Sequence, residues 1–248
     1  IAAVFAVPIG GAIFAHEVII RRFSDCGPSL VLIAALSAYL SAKLLMGADY
    51  QLLSSVGSVD PELDGLTVLG AIGVGLVSGL VSMIYIYAVT QMGQVNVIHR
   101  IPLSLRPLIP AALLFALSPL LPHLLGVGME AIDLALAGQF ALGLLLVLVV
   151  MKILMSSLCL GFGFFGGVFG PALFIGVMVG AVFDLAFTGS DTGHSLYAAL
   201  GGASVIGSVT GAPIAAIVIV FELTGSYHWS VLSMISVVIS TQLSRAVV

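Results

Sequence analysis

The residue types with the most chemistry in them fall in one stretch, Gly161 to Gly176, which reads G-F-G-F-F-G-G-V-F-G-P-A-L-F-I-G. A glycine-rich turn runs straight into an apolar helix, with Pro171 just inside its start. Proline is tolerated in a first turn because the amides there have no partner within the helix. Those unpaired N–H groups, with the positive end of the helix dipole, make a site for an anion. Gly161, Gly163 and Gly166 also satisfy the dinucleotide pattern G-x-G-x-x-G. That pattern needs a strand before it, and the run before it here, Leu142 to Leu160, is apolar and helical in character, so a nucleotide site is rejected. Hydrophobic sequence on both sides places the expected anion site inside a membrane.

Little else in the chain offers chemistry. Cys26 and Cys159 lie far apart with no C-x-x-C spacing and read as buried thiols. His16-Glu17 lacks the second histidine of a zinc-protease helix, and Ser204 and Ser208 have no histidine partner to make a nucleophile. No catalytic residue, metal site or cofactor is therefore expected. Lys152 sits within an apolar helix, where it either raises the local potential for an anion or snorkels to the interface. Glu17 and Glu222 are intramembrane acids, readable as proton carriers or as structural acids bonded to backbone amides. His16 is readable as a proton site or as an interfacial histidine beside Arg21, and Tyr227, His228 and Trp229 as an interfacial belt.

These groups are carried by a chain of 248 residues that is 60% hydrophobic and 7% charged, with a mean hydropathy of +1.27. Soluble domains carry about 25% charged residues, so this is an all-α, polytopic integral membrane protein. A net charge of −4 offers no basic face to nucleic acid. Its 29 glycines suit helices that pack closely or break.

The apolar segments run from Ile1 to Ile20 with a break at Pro8, then Leu30 to Met46, Leu66 to Met92, Pro107 to Leu125, Ala141 to Leu160, Phe169 to Phe187, Ser195 to Leu223 and Trp229 to Val247. Gly211-Ala212-Pro213 splits the seventh into two short helices, and Gly126 to Gln139 reads as re-entrant or interfacial. Arginines (Arg21-Arg22, Arg100-Arg106, Arg245) and the acidic loops 48–64, 126–139 and 184–191 fall at opposite ends of the spans. The positive-inside rule then puts the arginines in the cytoplasm.

The two ends of the chain repeat each other. I-A-A-V-F-A-V-P-I-G-G at Ile1 aligns with I-G-S-V-T-G-A-P-I-A-A at Ile206, pairing Val4 with Val209, Pro8 with Pro213 and Glu17 with Glu222 at one offset of 205. The charge pattern turns the copies in opposite senses, so the repeat is inverted. Inverted repeats with broken helices at mid-membrane are a common way to build a transport site.

G-G-V-F-G-P-A-L-F-I-G resembles the G-G-x-F-x-P segment of the CLC family of chloride channels and proton/chloride exchangers. L-Y-A-A-L-G-G-A-S-V-I-G-S-V-T-G-A-P-I-A-A-I-V-I-V-F-E-L-T-G-S-Y resembles the paired helices that follow it. A-A-V-F-A-V-P-I-G-G-A-I-F-A-H-E-V resembles the segment after the family's glutamate gate. The resemblance implies one CLC-type transmembrane domain over 1–248, with the end of the first half-repeat at about 1–47 and the second at about 66–248. It implies chloride held by the amides of Val168 and Phe169 within the turn Gly166, Gly167 and Gly170, and no cofactor. It implies a homodimer in the bilayer, joined through helices at about 8–20, 29–47, 213–224 and 229–247, in a bacterial inner or plasma membrane. The family's serine ligand and gating glutamate belong before Ile1, and its tyrosine ligand after Val248. Proton-coupled members often carry a second glutamate where this chain has Val18, which tilts the reading toward a channel or weak proton coupling, with a proton-coupled antiporter as the alternative. Phe169 argues against the fluoride branch. Phe162, Phe164 and Phe165 replace small residues of the family's turn. An inverted-repeat transporter of a cation or organic solute is the alternative from another class. It would need free carboxylates at mid-membrane, where only Glu17, Glu222 and Asp184 are candidates.

Overall fold

The computed structural model describes residues 1–21, 28–47, 61–94, 101–102, 105–164, 166–187 and 195–245. Arg22, Cys26, Asp49, Asp60, Arg100 and Phe165 lie outside them, so the side assignment of the charged loops is not read from this structure. Helices α1 (Ala2–Phe5) and α2 (Pro8–Phe14) meet at the Pro8 break, and α2 continues as a π-helix over Ala15–Ile20. Then follow α3 (Pro28–Met46), α4 (Gly65–Gly93), α5 (Leu108–Leu117), a 3₁₀ turn (Pro122–Leu124), α6 (Met129–Leu136), α7 (Leu142–Gly161), α8 (Phe169–Phe187), α9 (Ser195–Thr210), α10 (Pro213–Thr224) and α11 (Tyr227–Ser244). No strand occurs among the described residues. Among the described residues four helices, at Ser29–Met46, Gly65–Gly93, Leu142–Gly161 and Phe169–Phe187, are long and apolar enough to cross a bilayer. At 1.5 Å per residue the 20 residues of α7 reach about 30 Å, the hydrocarbon thickness.

The tightest packing is between α8 and α9, and glycine makes it possible. A Cβ added at Gly176 would lie 2.5 Å from the carbonyl oxygen of Gly201, and one at Gly180 would be 2.7 Å from the Cα of Ala198. In lipid, where apolar faces have no hydrophobic reason to prefer one another, such close backbone approach is a main source of helix association. α4 uses the same device: Gly75 lies against the backbone of Ser236 and Gly79 against Ser240 on α11. α11 is the least apolar long helix because Ser230, Ser233, Ser236, Ser240 and Ser244 line its buried face. Most of these hydroxyls donate to carbonyls of their own helix, Ser233 to Ser230 (2.8 Å) and Ser244 to Thr241 (3.0 Å) among them. Ser240 instead crosses to α9, donating to the carbonyl of Ser204 and hydrogen-bonding the hydroxyl of Ser208 at 2.5 Å. These bonds satisfy most of the serine hydroxyls on the buried face of α11, while the hydroxyls of Thr241 and, on α9, Ser204 have no partner among the described residues.

The repeat is visible in the backbone itself. Ala6 (φ 57) stands where the second copy has Gly211 (φ 69), each ending a helix in the left-handed region. The next residues, Val7 (φ −121, ψ 78) and Ala212 (φ −122, ψ 66), share one extended conformation and lead into Pro8 and Pro213. The copies part company at their far ends: the first closes at Arg21 and the second at Gly225, one residue sooner on the 205 offset. The π-helix at Ala15–Ile20 takes up that extra residue, since a wider turn is how a helix absorbs an insertion.

Two expected surface groups are core residues. Trp229 is 1% exposed and His16 4% exposed, so neither belongs to an interfacial belt; of the belt, Tyr227 does face outward at 73%. The Trp229 ring at the start of α11 belongs to the main apolar core, and sequence alone does not tell a belt tryptophan from a core one.

Candidate anion site at the α8 amino terminus

Among the helices with a proline at or near their start, three bear on the site: α2 at Pro8, α10 at Pro213 and α8 at Pro171. The first two have their free amides satisfied. Ile9 and Gly10 donate to the carboxylate of Glu222 at 2.9 and 2.7 Å. Ile214 and Ala215 donate to the carboxylate of Glu17 at 3.3 and 2.9 Å. Donors and acceptors in the two pairs are related by the same 205 residues. The carboxyl end of each helix caps the amino end of the other, so α2 and α10 pack antiparallel, as the inverted repeat requires. Of the two roles read for Glu17 and Glu222, the geometry matches the structural acid bonded to backbone amides.

Among the described residues α8 has no such carboxylate partner. Its first turn closes with Ala172 donating to the carbonyl of Val168 at 3.0 Å. Among the described residues no acceptor takes the amides of Val168, Phe169 or Gly170. Apolar rings wall one side: Phe169 meets Phe5 at 5.2 Å and Phe14 edge-on at 5.5 Å. The break between α1 and α2 is thus packed against the start of α8.

The candidate residues do not share one cavity. Gly166, Gly167 and Gly170 line a cavity of about 490 Å³ together with Lys152, Ser156 and Cys159. Val168 lines a second cavity of about 120 Å³ with Tyr85, and Phe169 lines a narrow apolar one. The turn therefore stands as a partition, with glycine backbone on one side and Val168 on the other.

Lys152 does not snorkel. It is 3% exposed, and its Nζ donates to the carbonyls of Leu124 (3.1 Å) and Gly126 (2.8 Å) while lying 4.5 Å from the centre of the Phe174 ring. This clamp ties the 3₁₀ turn before α6 to α7. It also leaves a full positive charge in the wall of the cavity that the glycine turn lines. Cys159 is half-buried in that wall rather than fully buried as its sequence suggested. Phe164 reaches the same cavity. Asp184 is 2% exposed at the far end of α8. Among the described residues no cluster of histidine, cysteine and carboxylate side chains has the makings of a metal site. Sequence reasoning passed over Tyr85, whose one signal was a phenol hydroxyl inside an otherwise apolar span.

A family profile described as voltage gated chloride channel matches residues 1–245. Relatives include a putative chloride channel protein ClcB-like of Ralstonia nicotianae, 25% identical over 92% of this chain and 53% of its own. An H(+)/Cl(-) exchange transporter ClcA of Vibrio cholerae is 29% identical over 92% of this chain and 50% of its own. The chain thus spans about half the length of these curated relatives. Among solved structures, a CLC-type fluoride/proton antiporter superposes with a TM-score of 0.81 at 26% identity, covering 99% of this chain and 60% of that one. A slow cyanobacterial Cl-/H+ antiporter superposes with a TM-score of 0.76 at 19% identity, covering 99% and 59%. With an all-helical fold, four apolar spans and a profile match over nearly its whole length, the chain belongs to the voltage-gated chloride channel (CLC) family.

Proposed function

We propose that this chain forms the anion-handling half of a chloride transporter, with the anion held at the amino end of α8. The observation that carries the reading is the contrast between the two repeat-related helix starts, at Pro8 and Pro213, and the start of α8. Two have their amides met by carboxylates, and the third has amides with no protein acceptor among the described residues. In a water-poor interior an unmet amide row is costly, and an anion meets it. Lys152 makes the approach electropositive through one clamped charge. Backbone dipoles do the rest, which suits an ion that must bind and then leave.

Partner, assembly and location belong to the same proposal. α3, α2, α10 and α11 pack in sequence one on the next, and each presents large exposed apolar residues such as Leu44, Ile9, Ile214 and Met234. That continuous layer is the surface proposed for a homodimer. Bacterial relatives favour an inner or plasma membrane. The domain reading, with the first half-repeat ending near 47 and the second over about 66–248, draws support from the matched dihedrals and caps. A cation or organic solute fits less well, because the carboxylates of Glu17 and Glu222 are engaged by amides.

Two points separate the proposed variants. Val18 favours a channel or weak proton coupling, whereas likeness to solved antiporters favours coupled exchange. Phe169 favours chloride, whereas the 26% likeness to a fluoride/proton antiporter keeps fluoride as the comparison anion. The test is efflux from liposomes holding the full-length protein, with chloride and external pH recorded together and the run repeated with fluoride. Chloride efflux without linked proton movement is the expected result. Proton movement in fixed ratio to chloride would assign the antiporter, and absence of any anion flux from folded protein would overturn the reading.

A further inference from the structure

Tyr85 lies on α4 with no exposed surface, and its hydroxyl has no hydrogen-bond partner among the described residues. An uncommitted phenol in a packed helical layer is unfavourable, since burial strips its water and returns nothing. Its position is specific. The side chain lines the small cavity that Val168 also lines, and its hydroxyl lies near that of Ser156, outside hydrogen-bond geometry, Ser156 lining the larger cavity with Lys152, Gly166, Gly167 and Gly170. Tyr85 therefore stands between the two cavities that flank the start of α8.

The other polar side chains of these two cavities are already engaged. Ser156 donates to the carbonyl of Lys152 at 2.6 Å, and Thr90 to the carbonyl of Ile86 at 2.7 Å. Lys152 directs two of its three protons to carbonyls. The Cys159 thiol is a weak donor. Tyr85 is the strong neutral donor whose hydroxyl meets no acceptor in hydrogen-bond geometry among the described residues.

We propose that the Tyr85 hydroxyl is a ligand of the anion at the α8 amino terminus, donating to it as it passes between the Lys152 cavity and the Val168 cavity. This rests on the anion reading of α8. A phenol suits the place because it gives one strong hydrogen bond without adding charge, so it marks the ion's path without trapping it. The ring meanwhile closes the gap between the cavities to anything that cannot accept that bond.

The experiment compares Tyr85→Phe with the parent in the full-length protein, reading chloride affinity by calorimetry and chloride efflux from liposomes. A hydrogen bond to a charged partner makes the expected effect a loss of affinity of about 10-fold, with the fold and thermal midpoint retained. Ser156→Ala serves as the control. If Tyr85 only packs against Ser156, both variants shift the thermal midpoint together and neither changes affinity, which overturns the proposal. Unchanged affinity in Tyr85→Phe overturns it as well. If Tyr85→Phe does not fold, Tyr85→Trp, which keeps an aromatic ring and a donor at a displaced position, is read instead for a changed chloride-to-nitrate preference; an unchanged preference counts against the proposal. Absence of chloride binding in the parent itself would strike the anion reading of α8, a result distinct from any of these.

Discussion

Replacing Glu222 by alanine tests the reciprocal caps most sharply. Its carboxylate accepts from Gly10 at 2.7 Å and Ile9 at 2.9 Å, two amides that would otherwise be orphans of the α2 first turn. Losing a helix cap ordinarily costs about 0.5–2 kcal/mol, and partial exposure of these oxygens keeps each bond near about 1 kcal/mol. Two short bonds give about 2 kcal/mol for Glu222→Ala. Glu17 accepts from Ala215 at 2.9 Å but from Ile214 at 3.3 Å, so Glu17→Ala should cost less, about 1–1.5 kcal/mol. For a chain of this size 1 kcal/mol shifts the midpoint by about 2–4 °C, which puts the Glu222 variant about 4–8 °C below the parent. Thermal unfolding in detergent, followed by intrinsic fluorescence, reads this directly. Both glutamine variants, which retain one acceptor oxygen, should fall between parent and alanine. Neither should selectively abolish proton movement while chloride flux persists. An unchanged midpoint in Glu17→Gln, with linked proton movement lost only in that variant, would refute the cap and restore Glu17 as a proton carrier.

Other consequences can be measured on the same preparation. Repeat-related positions Ala6 and Gly211 both sit at positive φ, and a Cβ at Gly211 meets nothing within 4 Å. Gly211→Ala should therefore cost about 1 kcal/mol from backbone strain alone, and Ala6→Gly should relieve a similar amount, giving thermal shifts of opposite sign. At Gly176, where an added methyl would meet the Gly201 carbonyl, Gly176→Ala should force α8 from α9 at about 1–3 kcal/mol, seen as a lowered midpoint and loss of folded protein on gel filtration. Cys159 shares its cavity with Lys152, so a negatively charged thiol reagent should label it faster than a positively charged one of equal size, and Lys152→Met should remove that preference; equal rates in the parent would deny the cavity its positive potential.

Much of the architecture was legible because membranes make strong demands on sequence. Uninterrupted apolar runs marked α4, α7 and α8 to within a residue or two, and the proline of Gly211-Ala212-Pro213 marked the break between α9 and α10. A shared offset of 205 identified the repeat, and the dihedrals at Ala6 and Gly211 carry it into the backbone. What sequence did not show depended on packing between distant elements. Lys152 has the same one-letter surroundings whether it snorkels or clamps Leu124 and Gly126, and only the fold of α6 and α7 brings those carbonyls to it. Trp229 beside Tyr227 and His228 looks like a belt until α11 turns it inward. The glycine turn was found from its residues, but its division between two cavities was not, because a backbone partition leaves no mark in residue types.

The central claim is that the amino terminus of α8 holds the transported anion. Bromide substitutes for chloride and scatters anomalously, so the decisive measurement is an anomalous difference map from crystals of the full-length protein grown in bromide. The expected result is a peak within hydrogen-bonding reach of the amides of Val168, Phe169 and Gly170. An empty α8 terminus in protein that still moves chloride, with bromide density elsewhere, would contradict it.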